Sequence, residues 1–136
     1  MNIDDFLLGI DPGSSKTGLA LLTCSGEIIR RRIALTTNFE AELVSFLAGV
    51  LPRVCIIGNG TRSKEHQKRL MECWPQCTII ELDEAYSTEE ARKLYWQLNP
   101  PTSWRKFLPL GLLKPPVALD DYAAVILVRR YLEQTT

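Results

Sequence analysis

The chain has 136 residues, 46% of them hydrophobic and 24% charged, the make-up of one folded domain large enough to bury roughly two-thirds of the surface its unfolded form exposes. Its 16 basic and 16 acidic side chains cancel, so the total charge does not point to a polyanionic partner. No apolar run approaches the roughly 18 residues of a membrane span.

Met1 to Asp5 lacks the basic-then-apolar build of a secretion signal, and a cytoplasmic protein with reduced cysteines is expected. Phe6 to Ile10 is continuously apolar, the pattern of a central strand covered on both faces. It ends on Asp11, and Pro12-Gly13-Ser14-Ser15 is turn chemistry. Thr17 to Thr23 and Glu27 to Leu35 read as two further strands joined by the hairpin turn Cys24-Ser25-Gly26. Asn38 is placed to cap a helix running to about Leu51, with Leu43, Phe46, Leu47 and Val50 at helical spacing.

Arg53 to Gly58 is a fourth strand, strongly apolar. A second helix is expected from Ser63 to about Trp74, its inner side formed by Leu70, Met71 and Trp74, and Pro75 ends it. Thr78 to Leu82 is a fifth strand. Ser87-Thr88-Glu89-Glu90 fits a capping box opening a helix to about Leu98. Asn99-Pro100-Pro101 breaks it, and a proline-rich loop runs to Pro115-Pro116. The last helix spans Asp120 to about Glu133; its middle, Ala123 to Val128, is apolar all round and so belongs in the core. Hairpin strands followed by alternating strands and helices predict a single mixed α/β domain over residues 1–136.

In such a sheet, sites form where parallel strands end. Asp11 ends the first strand, Asn59 follows the fourth, and Asp83-Glu84 follow the fifth. Asp120 and Asp121 open the last helix, where the helix dipole favours carboxylates. Crowded carboxylates repel, and a hard cation such as Mg²⁺, which takes oxygen ligands and keeps waters, removes the conflict. A pair of such ions about 4 Å apart activates water for in-line attack on phosphorus without a histidine or serine nucleophile. If Asp11, Glu84, Asp120 and Asp121 hold metal, 12 acids face 16 bases over the remaining surface. Each acid also has a plain reading as a turn or cap residue; their expected convergence favours a site.

The single histidine, His66, sits among charged residues of the second helix and reads as surface. Cys24 and Cys55 fall in or beside strands as small apolar residues, and Cys73-Trp-Pro-Gln-Cys77 lacks the second ligand pair that zinc needs. Lys16, Arg62, Lys64, Arg105, Lys106 and Lys114 are placed to hold phosphates, contacts that position a nucleic acid without reading sequence. Trp104 and Phe107 would either stack on unpaired bases or pack with Leu108, Leu110, Leu112 and Leu113 onto the core. Arg30-Arg31-Arg32 reads as charge protecting an edge strand.

Three stretches, "GIDPGSSKTGLAL" (Gly9 to Leu21), "LDEAYSTEEAR" (Leu82 to Arg92) and "LDDYAAVILVRRYLE" (Leu119 to Glu133), resemble in order the three motifs of YqgF proteins. These form part of the RuvC-like branch of the ribonuclease H fold, described as Holliday junction resolvases and as nucleases processing precursor 16S ribosomal RNA. The resemblance implies a five-stranded mixed sheet of order 3-2-1-4-5 flanked by helices. It also implies a Mg²⁺- or Mn²⁺-dependent nuclease acting on structured RNA or branched DNA, as monomer or homodimer. Asp11, Glu84 and Asp120 match the catalytic metal ligands, with Asp121 auxiliary. The chain departs from the pattern at Ala85, where the family has arginine, and at Gly58-Asn59-Gly60, which is closer to the YqgF-like domain of the transcription accessory protein Tex.

Two other functions remain open on sequence alone. One is a catalytically inactive nucleic-acid-binding or scaffold protein, motivated by Ala85 and Asn59. The other is a sugar-kinase or actin-like ATPase, whose phosphate loops also follow an acidic strand end. That class closes nucleotide between two domains, and Ser15 in place of glycine before Lys16-Thr17 excludes a P-loop.

Overall fold

The computed structural model describes residues 6–85, 87–109 and 113–135. Met1 to Asp5, read above for a leader, and Leu110 and Leu112 lie outside the described residues. Five strands, β1 (Phe6–Asp11), β2 (Lys16–Thr23), β3 (Ile28–Leu35), β4 (Val54–Gly58) and β5 (Ile79–Leu82), form one sheet in the order β3-β2-β1-β4-β5. The two hairpin pairs are antiparallel, and β1, β4 and β5 run parallel. Helices α1 (Phe39–Leu47), α2 (Ser63–Cys73), α3 (Ser87–Leu98) and α4 (Asp120–Thr135) cover the sheet. The strand order expected above is the one observed.

Strand alternation sorts the core into two layers. Leu8, Ile10, Leu19, Leu21, Cys55 and Ile57 pack with Phe39, Leu43, Phe46 and Leu70 of α1 and α2. Leu7, Ala20, Leu22, Val54 and Ile56 pack on the opposite face against α3 and the all-apolar middle of α4. Period-two geometry therefore turns Asp11, in step with Leu7 and Gly9, toward the α4 face. Two glycines let α4 lie almost on the strands. A Cβ on Gly9 would strike the Ala124 carbonyl, and one on Gly18 would strike the backbone of Asp120.

Several local expectations need correction. The first helix stops at Leu47 rather than near Leu51, because Ala48 and Gly49 take positive φ of 49° and 86° and the Ala48 amide closes on Val44 O. Asn38 makes no side-chain cap; it ends a 3-10 turn, Thr36–Asn38, that leads into α1. Met71 is half exposed rather than on the inner face of α2, while Leu70 is buried and Trp74 packs at the margin of the core.

His66 is not on the surface: its exposure is 0%. Nδ1 lies 2.8 Å from the Arg62 carbonyl and must donate there, which leaves Nε2, 2.8 Å from Thr17 Oγ1, to accept from that hydroxyl. Thr17 also meets Thr36 Oγ1 at 2.8 Å, and Thr36 donates to the Gly13 carbonyl. This buried network ties α2 and the end of β3 to the loop that follows Asp11.

Candidate active site

Asp11 pairs directly with Gly18 across the β1–β2 ladder, so the glycine that admits the start of α4 stands beside the carboxylate. Asp120, the first residue of α4, comes to Asp11 by this close approach. Glu84 arrives from the other side. Its backbone amide donates to Asn59 Oδ1 at 3.2 Å, and its carboxylate lies across Gly58 and Gly60, where any Cβ would collide with it. The Gly60 amide donates to that carboxylate. Asn59 is thus the residue that pins the loop carrying Glu84.

The carboxyl groups of Asp11 and Glu84 lie within hydrogen-bonding reach of each other. Two carboxylates in contact require a shared proton or a cation. Burial first, then the charges of Glu84 and Asp120, push the Asp11 carboxyl from 3.8 to about 7. Burial likewise raises Glu84. Glu84 Oε2 is buried and finds no hydrogen-bond donor. An unpartnered carboxylate oxygen on Glu84, a carboxyl group of Asp11 within reach of that side chain and a third acid near enough to be felt make a donor set suited to a hard divalent cation. Among the described residues, no three acidic, histidine or cysteine side chains are placed to hold one metal ion together.

A cleft of about 140 Å³ opens here, lined by Asp11, Thr88, Leu119, Asp120 and Ala123. The first turns of α3 and α4 both border it, and the helix dipoles add partial positive charge beside the acids. Thr88 lines the cleft through the packing of α3, and the sequence does not mark it, since Ser-Thr-Glu-Glu reads only as a helix start. Ser87 is itself the first residue of α3 rather than a cap ahead of it, so Thr88 falls in the helix's first turn.

Asp121 does not join this cluster. Its carboxylate is 2.8 Å from Arg31 on β3, and its other oxygen accepts from the Tyr122 amide at 3.0 Å. Arg31 also stacks over the Tyr122 ring at 4.0 Å. The arginine run is accounted for by strand alternation: Arg31 turns to α4, while Arg30 donates to Phe46 O and Arg32 to Ser45 on the α1 face.

Lys16 is exposed at the start of β2, after the Asp11 loop. Arg62 and Lys64 are exposed and form surface pairs with Glu65 at 3.3 Å and Glu81 at 3.7 Å. Arg105 and Lys106 lie in a 3-10 turn, Ser103–Phe107, with Trp104 64% and Phe107 79% exposed. These aromatics do not pack into the core; among the described residues of that loop Leu113 alone is buried, its carbonyl facing Trp96 Nε1 at 3.4 Å. Lys114 is exposed as well. Among the described residues no helix is long and apolar enough to cross a membrane.

No protein-family model and no curated protein matches the sequence. Among solved structures, the chain is similar to RuvC of Thermus thermophilus, at 13% identity and a TM-score of 0.59 over 96% of this chain and 95% of that one. It is also similar to T. thermophilus RuvC in complex with Holliday junction substrate, at 14% identity and a TM-score of 0.55 over the same shares. With its five-stranded mixed sheet in the order 3-2-1-4-5, the chain has the ribonuclease H-like fold that RuvC has.

Proposed function

We propose that this chain is a divalent-metal-dependent nuclease that hydrolyses phosphodiesters in structured nucleic acid, either precursor ribosomal RNA or a branched DNA junction. The observation that carries the reading is the contact of the Asp11 and Glu84 carboxyls, with Asp120 beside them, at the strand ends that border an open cleft. Asp11, Glu84 and Asp120 would hold Mg²⁺ or Mn²⁺. When bound, such an ion lowers the pKa of a water and steadies charge on phosphate oxygens.

The protein's own residues do the rest. Asn59 and the Gly60 amide fix Glu84, and Gly18 sets how closely Asp120 approaches Asp11. Thr88 offers a hydroxyl on the cleft wall, suited to a phosphate oxygen. Lys16, Arg62, Lys64, Arg105 and Lys106 would position the backbone, and Trp104 and Phe107 would stack on unpaired bases. Asp121 serves structure, since Arg31 neutralises it. RuvC solved with a junction substrate supports nucleic acid as the partner class.

The test is incubation with Mn²⁺ and a panel of junction, duplex, single-stranded DNA and precursor rRNA substrates, with Asp11→Asn alongside. Cleavage of a structured substrate by the wild type alone supports the reading. Equal cleavage by both proteins removes Asp11 from the mechanism.

A second reading, an inactive nucleic-acid-binding or scaffold protein, is favoured by exposed Ala85 after Glu84, where the resembling family carries arginine. It predicts salt-sensitive binding without product at any divalent concentration.

A further inference from the structure

On the face of the sheet away from the carboxylates, the sulfurs of Cys55 and Cys77 lie 2.9 Å apart. That is closer than two sulfurs rest in ordinary packing, and it holds two residues 22 apart in sequence side by side. Cys55 is fully buried in β4, while Cys77, just before β5, is half-buried at the edge of the same core layer. The Cys55 amide donates to the Thr78 carbonyl at 2.8 Å, so the backbones beside both cysteines are already joined by a hydrogen bond. Cys73 is exposed and turns its sulfur back to the Leu70 carbonyl at 3.5 Å. The spacing Cys73-x-x-x-Cys77, which suggests one pair in the sequence, is therefore replaced in the fold by another.

We propose that Cys55 and Cys77 are a peroxide-reactive dithiol, in which Cys77 is oxidised first and Cys55 resolves it to a disulfide clamping β4 to the entry of β5. Exposure sets the order, because only Cys77 is open to solvent. The contact also lowers the Cys77 thiol from its ordinary range, while the same contact and burial raise Cys55. In the first step the Cys77 thiolate attacks one oxygen of a hydroperoxide. An S–O bond forms, the O–O bond breaks, and the departing oxygen leaves as water or alcohol after taking a proton. In the second step the Cys55 sulfur attacks the Cys77 sulfur. The S–S bond forms, the S–O bond breaks, and hydroxide leaves as water with the Cys55 proton. With hydrogen peroxide, two thiols are oxidised and one peroxide is reduced to two waters.

The far ends of β4 and β5 lead to Asn59 and Glu84, so the bridge would stiffen the two strands that lead to one of the three site acids and to the residue that pins it, without touching the acids. The proposal does not depend on nuclease activity. The full chain, reduced and desalted, is treated with stoichiometric hydrogen peroxide, then followed by intact mass and non-reducing peptide mapping. Loss of two hydrogens, about 2 Da, with the Cys55 and Cys77 peptides joined, is the expected result. The melting temperature should rise by about 3 °C or more and return on reduction.

The double variant Cys24→Ser/Cys73→Ser should behave like wild type. Cys77→Ser should lose the mass change and leave Cys55 unalkylated in the folded protein. Cys55→Ala, which keeps a small apolar residue in the core, should leave a Cys77 sulfenic acid that a dimedone-type reagent traps. An unchanged mass in the wild type, a bridge mapped to Cys24 or Cys73, or bridges only between molecules would overturn the proposal, whatever the variants do.

Discussion

Asp11 is the residue on which charge, burial and position meet. Its carboxyl is raised from 3.8 to about 7, chiefly by burial, so in the metal-free protein the protonated form predominates below about pH 7. The stability this group contributes is fully present below about pH 4 and is lost as pH rises through about 7. Thermal melts in EDTA should therefore show the wild type losing stability relative to Asp11→Asn between these limits, by an amount on the order of a few kcal/mol. Parallel curves for the two proteins would contradict the assigned environment. Added Mn²⁺ should act in the opposite sense and stabilise more as pH rises, since it binds the ionised form. His66 is the other residue that decides local structure. Replacing it with Ala empties the ring's place in the core and removes its hydrogen bonds to Thr17 and the Arg62 carbonyl, a loss of about 2–4 kcal/mol in urea unfolding. A change below half a kcal/mol, the scale of a surface substitution, would argue against its buried role. Charged neighbours made His66 read as surface, yet Ser63, His66 and Leu70 share one helical face, and all three are buried. Helical spacing carried the answer; neighbouring composition hid it.

Elements meet where small residues allow it. Gly9 and Gly18 bring α4 onto β1 and β2, and the helix is long and apolar enough to hold that position. Gly18→Ala places a methyl against the Asp120 backbone, which must retreat from Asp11. The expected outcome is destabilisation of about 1–3 kcal/mol with a loss of Mn²⁺ affinity larger than for a comparable substitution remote from the cleft. Full affinity in a folded Gly18→Ala protein would show that the helix approach does not set the site. The five strands and four α-helices of the described residues were legible in the sequence, because hairpin turns and apolar runs are strong local signals. Helix ends were less so: Gly49 marked the true stop of α1, but apolar spacing through Val50 pointed past it. The pairing of Asp121 with Arg31 was hidden for a different reason. It joins α4 to β3 across the sheet edge, and adjacent acids at a helix start look alike until a neighbouring strand chooses between them.

At the scale of the whole molecule, strand order was readable from the chain because hairpins force antiparallel neighbours and helical crossovers force parallel ones. That order brings strand ends from residues 11, 58 and 82 to one edge, which is why acids distant in sequence could be expected to meet. The cleft was not readable, since Thr88 and Leu119 join it only through packing of α3 and α4. Zero net charge still leaves basic side chains exposed, Lys16, Arg105 and Lys106 among them, while Asp11, Glu84 and Asp120 are half-buried. Arg105→Ala/Lys106→Ala should weaken binding of a structured nucleic acid about equally across sequences and flatten its salt dependence, read by fluorescence anisotropy at several ionic strengths. An unchanged salt slope would exclude that turn from the interface. The most direct measurement is calorimetric titration of Mn²⁺ into the full chain and into Asp11→Asn at pH 7 in buffers of different ionisation enthalpy. Saturable binding with proton release in the wild type, lost in the variant, is the predicted result; absence of binding, or equal binding by both proteins, would contradict a cation shared by Asp11, Glu84 and Asp120.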